Sequence, residues 1–104
     1  MSEPLRGDVW WLEMPDKRRP VVVLTRDRAI PVLRTVLVAP VTRSARGIPT
    51  EVGLDEVDGM PVACVATLDN LTTVPKSFLT ERITRLSRTR LHDVCVALSV
   101  VVDC

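Results

Sequence analysis

The 104-residue chain contains one histidine, three cysteines, three aromatic residues and no tyrosine. A lone histidine, His92, excludes mechanisms that need a histidine pair and leaves few ways to build a metal site. Cys64, Cys95 and Cys104 are odd in number and widely spaced, which fits neither a disulfide framework nor a Cys-x-x-Cys metal or redox site. We therefore expect Cys64 and Cys95 to be small buried residues and Cys104 to be a free terminal thiol.

Long apolar runs are also missing. The longest, Val21–Leu24 and Val36–Val41, fall far short of the roughly 18 residues that a membrane-spanning helix requires. The first residues, Met1–Arg6, lack the apolar stretch of a secretion signal. We therefore expect no membrane partner and a cytoplasmic location.

Charge is distributed unevenly along a chain whose net charge is only +1. Residues 17–46 hold eight basic side chains against one acid, residues 51–69 hold five acids and no base, and residues 76–90 are basic again. Twelve of the fourteen basic residues are arginine, whose planar fork suits bidentate phosphate contacts. This pattern predicts a basic face for a polyanion, although genomic codon bias would also enrich arginine.

Short apolar runs separated by proline and glycine predict β-strands, and turn signals every 8–12 residues are typical of a small barrel or sandwich. Unbroken apolar residues at Val21–Leu24 indicate a strand that is covered on both faces. Pro40 is expected to end the third strand, because proline has no N–H for an interior ladder position. The expected strands are Val9–Leu12, Pro20–Thr25, Thr35–Val41, Thr50–Leu54, Val62–Leu68 and Ser99–Val102.

One amphipathic helix is expected near the C-terminus, with Ser87 as its N-cap. Arg88 and Arg90 fall in its first turn, where the helix dipole disfavours cations by about 0.3–1 kcal/mol each. They either form salt bridges with other elements or serve a ligand. The apolar stripe of this helix has i, i+3, i+4, i+7 spacing and consists of Leu91, Val94, Cys95 and Leu98.

The chain has no phosphate-cradling glycine loop and no Gly-x-Ser-x-Gly motif. The candidate catalytic residues instead lie at the ends of two expected strands. Arg19 precedes the second strand and Thr42 follows the third, so they meet at one edge if these strands pair. Pro20 restricts Arg19 to an extended backbone. An arginine beside a hydroxyl can clamp a phosphodiester, and RNA supplies its own 2′-OH as nucleophile without a metal.

Three segments, in this order, resemble the MazF/PemK family of toxin endoribonucleases of type II toxin–antitoxin systems. They are Arg6–Trp10, Arg19–Leu24 and the longer motif Val38–Val52, and the similarity continues through Val65–Val74 and the C-terminal helix. The resemblance implies one domain over residues 1–104. Its expected fold class is mainly β (α+β): an SH3-like, partly open β-barrel of about five to seven strands with one C-terminal amphipathic helix and short helical turns.

The resemblance also implies a homodimer whose groove binds single-stranded RNA and cleaves it, without metal or other cofactor, to a 2′,3′-cyclic phosphate. Such cleavage would be sequence-specific and would inhibit translation and growth. A MazE-like antitoxin would occupy the groove with an acidic, disordered C-terminal segment.

Carried over by the resemblance, the catalytic arginine falls on Arg19, with Arg18 as a rival, and the phosphate-holding threonine falls on Thr42. The first loop departs from the family. Here only Glu13–Arg18 stand before the Arg19-Pro20 dipeptide, whereas many members have a longer, glycine-bearing segment in this place. Asp69-Asn70 also stands where many members have a glutamine. The expected RNA-binding residues are Lys17, Arg18, Arg43, Ser44, Arg46 and Asn70.

Two other functions remain open. A toxin similar to the CcdB gyrase poisons would share the fold, lack the arginine–threonine pair and act through its C-terminal helix. An SH3-like interaction module would need an aromatic groove, and three aromatic residues in the chain argue against one. Trp10 and Trp11 are neighbours in an expected strand, so their side chains point to opposite faces. One is therefore expected in the core and the other at the surface or an interface.

Overall fold

A computed structural model describes residues 3–103; Cys104, with its expected free thiol, lies outside them. The described chain forms seven strands, one α-helix and four short 3-10 helices. No helix in this range is long and apolar enough to cross a membrane. The elements are β1 (Asp8–Met14), β2 (Lys17–Val23), β3 (Thr35–Thr42), β4 (Glu51–Leu54), β5 (Cys64–Thr67), β6 (Thr72–Pro75), β7 (Leu79–Arg85) and α1 (Arg88–Val101).

The strands form one antiparallel sheet in the order β4-β5-β3-β2-β1-β7, and β6 pairs with β3. The sheet curls into a half-barrel with α1 packed against one face. The expected fold class is therefore confirmed, with seven strands at the upper end of the expected range.

Apolar side chains are buried on both faces of the sheet. Val22 belongs to a cluster that includes Val94 of α1, whereas Val21 and Val23 belong to a second cluster around Trp10. Burying one such side chain contributes about 1.5–3 kcal/mol, so both faces hold β2 in place. The expectation that this strand is covered on both sides is confirmed. Trp10 is buried and Trp11 half-buried, as their alternation predicts.

Pro40 does not end β3 as expected; the strand continues to Thr42. On one edge of β3, pairing with β6 stops at Val38 and pairing with β5 begins at Val41. Pro40 lies in the gap between the two partners, where its missing N–H interrupts no residue pair on that edge. Its carbonyl accepts a hydrogen bond from the Thr67 hydroxyl at 2.9 Å.

The helix begins as expected, because the Ser87 Oγ accepts a hydrogen bond from the Arg90 N–H at 3.1 Å. The strand expected at Ser99–Val102 is wrong, since α1 extends to Val101. The Val102 N–H still donates to the Leu98 carbonyl at 3.1 Å, and Leu98 and Val101 pack on the core. Packing of this helical face outweighs the strand preference of the β-branched residues.

Two strands, β6 and β7, lie where the sequence indicated none. Most residues of β7 are exposed, so it lacks the apolar alternation by which strands are recognised. It is held instead by pairing with β1 and by polar contacts. One of these is the Thr84 hydroxyl, which donates to the Asp58 carbonyl at 2.9 Å.

The two helical arginines and the two described cysteines differ in their surroundings. Arg90 forms ion pairs with Asp58 and Asp93, each at 3.0 Å, so the salt-bridge alternative is confirmed for it; in residues 3–103, Arg88 forms no ion pair. Cys64 is buried, as expected, and burial raises the pKa of its thiol. Cys95 is only half-buried, which corrects the expectation that it is buried.

Asp8 joins the start of β1 to the end of β7. It is fully buried, and its carboxylate accepts hydrogen bonds from Arg85 Nε at 2.7 Å, the Leu5 N–H at 2.9 Å and Trp10 Nε1 at 3.2 Å. Burial alone would raise the pKa of Asp8, but these three donors outweigh burial and lower it below the ordinary value. The carboxylate is therefore a structural anion.

We predict that Asp8→Asn lowers the free energy of unfolding at pH 7 by about 1–3 kcal/mol, because buried donors lose a charged acceptor. A lowered folded-state pKa adds stability above the unfolded pKa of about 3.9, and that stability is lost as pH falls through the folded value. Asp8→Asn should therefore also flatten the loss of stability below about pH 4. Urea unfolding across pH measures both effects.

The matched control is Asp16→Asn, which makes the same change at an exposed residue in the turn between β1 and β2. Its stability should stay within about 0.5 kcal/mol of the parent. Equal pH profiles for the parent and Asp8→Asn would contradict the role of Asp8.

Candidate functional site

The pairing of β2 with β3 brings the two candidate catalytic residues to the same place. Val21 pairs with Pro40 and Val22 with Ala39. Arg19 and Thr42 each lie two residues beyond the last of these pairs, so both stand at the same end of the central strands.

A groove of about 430 Å³ opens at this end of the sheet. Of the eight residues expected at the site, seven line it, and Arg43 does not. The predicted residues that it brings together are Lys17, Arg18, Arg19, Thr42, Ser44, Arg46 and Asn70; the others are Pro40, Val41, Ile48, Thr50, Glu51, Thr67 and Asp69.

Arg18 and Arg19 differ in what holds them. The Arg18 guanidinium lies 4.1 Å from the centroid of the Trp11 ring, and its Nε lies 3.8 Å from Glu13 Oε1. Within the described range, Arg19 is exposed and takes part in no ion pair or side-chain hydrogen bond. Arg19 is thus the freer of the two to contact a ligand anion.

Thr42 is oriented by the chain that follows it. Its Oγ accepts a hydrogen bond from the Ser44 N–H at 3.3 Å, which leaves the hydroxyl proton available for an acceptor in the groove. A guanidinium and a hydroxyl donor placed together suit a phosphate oxygen.

The far side of the groove is polar and partly acidic, and sequence reasoning did not assign it. Glu51 pairs with Thr67 across β4 and β5, and the Thr50 hydroxyl donates to the carboxylate of Asp69. The sequence signal was the acidic segment beginning at residue 51, but which of its acids reach the groove depends on the register of β4 with β5.

Glu51 fixes the loop between β3 and β4. Its Oε1 accepts hydrogen bonds from the backbone N–H groups of Arg46 at 2.8 Å and Gly47 at 3.0 Å. Gly47 has a φ of +71°, a conformation that glycine adopts without strain. The carboxylate therefore sets the path of the loop that carries Ser44 and Arg46 into the groove.

We predict that Glu51→Ala speeds hydrogen exchange at the Arg46 and Gly47 amides by about tenfold, since a hydrogen bond to a charged acceptor contributes about 1.5–3 kcal/mol when fully formed. Glu51→Gln should keep most of the protection, because its side-chain oxygen still accepts. Amide exchange by NMR distinguishes the two variants. Unchanged exchange in Glu51→Ala would show that the loop is held by other contacts.

No group of three or more His, Cys, Asp or Glu residues in the described part of the chain is placed to hold a metal ion. The groove instead combines cations from β2, a hydroxyl from β3 and hydrogen-bonding side chains beside β4 and β5. These features define the class: a small half-barrel protein with a polar, cationic groove at one end of its central strands.

Comparison with known proteins identifies the family. Residues 5–102 match the family model described as "PemK-like, MazF-like toxin of type II toxin-antitoxin system". The chain belongs to this family, and the resemblance inferred from its motifs is confirmed.

Relatives and solved structures agree with this assignment. The chain is 48% identical over 103 residues to "Probable endoribonuclease MazF5" of Mycobacterium tuberculosis, covering 97% of this chain and 94% of the relative. It is 40% identical over 100 residues to "Probable endoribonuclease MazF2" of the same species, covering 95% and 98%. The structure of M. tuberculosis toxin MazF-mt6 matches with a TM-score of 0.85 and 34% identity, covering 92% and 96%.

A fourth match is the MazE-MazF structure from Deinococcus radiodurans, with a TM-score of 0.83 and 25% identity. It covers 98% of this chain and 97% of the matched chain. Both structural matches span nearly the whole chain.

Proposed function

We propose that this toxin is a sequence-specific endoribonuclease that cleaves single-stranded RNA through the substrate's 2′-OH, without a metal, and thereby inhibits translation and growth. The observation that carries the proposal is that Arg19 and Thr42, from the same end of β2 and β3, line one groove that also holds Lys17 and Arg46. The relatives named as endoribonucleases support it. Because its proposed substrate is cellular RNA, we expect the toxin to act in the cytoplasm.

In the proposed reaction one P–O bond forms, one P–O bond breaks and a proton is transferred. The 2′-oxygen attacks the adjacent phosphorus while the bond to the 5′-oxygen breaks, which yields a 2′,3′-cyclic phosphate and a 5′-hydroxyl. The 2′-OH releases its proton to solvent, and solvent resupplies the proton that the departing 5′-oxygen gains. Arg19 stabilises or protonates the departing oxygen, and the Thr42 hydroxyl donates to a non-bridging phosphate oxygen. Stabilisation of charge that grows in the transition state is what accelerates such a step.

Cleavage of total RNA with mapping of the new 5′ ends tests the function. We predict cleavage that persists in EDTA and that stops when the scissile nucleotide carries 2′-deoxyribose, because the nucleophile is then missing. Loss of cleavage in EDTA, or cleavage of the 2′-deoxy substrate, would refute the mechanism. Supercoiling by DNA gyrase, measured in parallel, should be unaffected; inhibition of gyrase with intact RNA would favour the CcdB-like alternative.

Arg19 and Arg18 can be separated by substitution. Arg19→Ala should lower kcat about 10²- to 10³-fold, roughly 2.7–4 kcal/mol, the loss typical of one oxyanion donor. Arg18→Ala should have a smaller effect on kcat, since Trp11 and Glu13 already hold its side chain. Single-turnover kinetics on a mapped site measures both variants. The larger kcat loss in Arg18→Ala would reassign the catalytic role to Arg18.

The proposal extends to the partners. The toxin acts as a homodimer, and a MazE-like antitoxin inhibits it by placing an acidic, disordered C-terminal segment in the groove. The Deinococcus MazE-MazF structure, similar in fold and 25% identical, supports an antitoxin partner. The eight basic residues within 17–46 supply charge that both an acidic peptide and RNA can use.

We predict that RNA and an acidic antitoxin peptide compete for this groove. RNA affinity should fall with salt, with a log–log slope of about −0.7 per phosphate contact on a single strand, and the peptide should displace RNA stoichiometrically. Fluorescence anisotropy of a labelled, non-cleavable oligonucleotide measures both. Salt-independent binding, or RNA and peptide bound together without mutual weakening, would contradict a shared groove.

A further inference from the structure

The Asp69 carboxylate lies in the groove and is fixed there by neighbouring contacts. The Thr50 hydroxyl donates to its carboxylate, and the Leu68 N–H donates to the Thr50 carbonyl at 3.0 Å. Leu68 itself is fully buried, so the backbone that carries Asp69 is anchored in the core. The Asp69 side chain remains exposed to the groove.

A fixed carboxylate is a poor neighbour for RNA phosphates. The sheet order places Arg19 of β2 on one side of β3 and Asp69, just after β5, on the other. Phosphates are attracted to the β2 side by Arg19 and its basic neighbours and are repelled by Asp69. A strand lying in the groove therefore turns its bases, and not its phosphates, toward Asp69.

A carboxylate accepts hydrogen bonds and donates none. Cytosine N4, adenine N6 and guanine N2 carry amino groups that can donate to it, and single-stranded RNA exposes these base edges. Uracil offers only N3–H between two carbonyl oxygens, which the carboxylate repels. The Thr50 hydroxyl occupies one acceptor site of Asp69 and leaves the others for a base.

We propose that Asp69 is a specificity-determining residue that selects an amino-bearing base at one position of the RNA and excludes uracil there. The inference rests on the proposed RNA substrate. It assigns base selection at this position to the carboxylate of Asp69, whereas Asn70 beside it carries an amide that both donates and accepts.

Binding selection tests Asp69 without relying on cleavage. A randomised 2′-fluoro RNA pool, which lacks the attacking hydroxyl, is bound to the protein, and the bound fraction is sequenced. The parent should deplete uracil about tenfold or more at one position, as for a good base-specific contact. Asp69→Asn should remove this depletion at that position alone, because its amide group also donates. Thr50→Val should weaken the depletion by releasing the carboxylate.

The control is Glu56→Gln, which removes one negative charge at an exposed residue that does not line the groove. It should leave the base distribution unchanged. If Asp69→Asn strengthens binding to all sequences equally and keeps the parent's base distribution, Asp69 acts only through its charge and the proposal is overturned. An all-ribose pool run in parallel reports cleavage separately, so a failure of catalysis and a failure of base selection give different results.

Discussion

The antiparallel register between β2 and β3 is the constraint on which the site depends. With Val21 opposite Pro40, Arg19 and Thr42 both reach the groove, and a slip of one residue would move every side chain of a strand to the other face. Such a slip is opposed because Val21, Val22 and Val23 are all buried, in two clusters on opposite faces. The core therefore enforces the geometry of two residues that lie outside it.

The same central strands give the groove two unlike sides. The β2 side offers cations, and of these Lys17 and Arg19 form no ion pair or side-chain hydrogen bond in the described range, whereas Arg18 is held by Glu13 and Trp11. On the β4 and β5 side, Glu51 and Asp69 are already engaged, by loop amides and by the Thr50 hydroxyl. These carboxylates shape the groove rather than neutralise its arginines. A strand of RNA bound as proposed would lie with a defined orientation between the two sides.

Sequence reasoning reached the β2–β3 edge because both strands are apolar runs whose polar ends stand out. Arg19, Thr42 and Ser44 were reached in this way, whereas the other basic residues came from the charge pattern and Asn70 from the family resemblance. Of these eight expected site residues, all but Arg43 line the groove. Thr50, Glu51 and Asp69 were missed because their positions depend on pairing between β4 and β5, which no local pattern reports. The end of α1 was misjudged because its valines favour strands locally, while contacts of Leu98 and Val101 with the core decide the outcome.

The scarcity of aromatic side chains limits how this groove can hold bases. Trp10 is buried, Phe78 packs against the cluster around it, and the Trp11 ring is covered by Arg18. None of these three residues lines the groove, so base stacking on aromatic rings, the usual grip on single-stranded nucleic acids, is not offered there. Affinity must then come from phosphate contacts, and selectivity from hydrogen bonds to base edges. Reliance on phosphate contacts means that an acidic competitor can also bind the groove. Reliance on hydrogen bonds to base edges makes a fixed acceptor such as Asp69 more important than it would be in a groove with aromatic stacking.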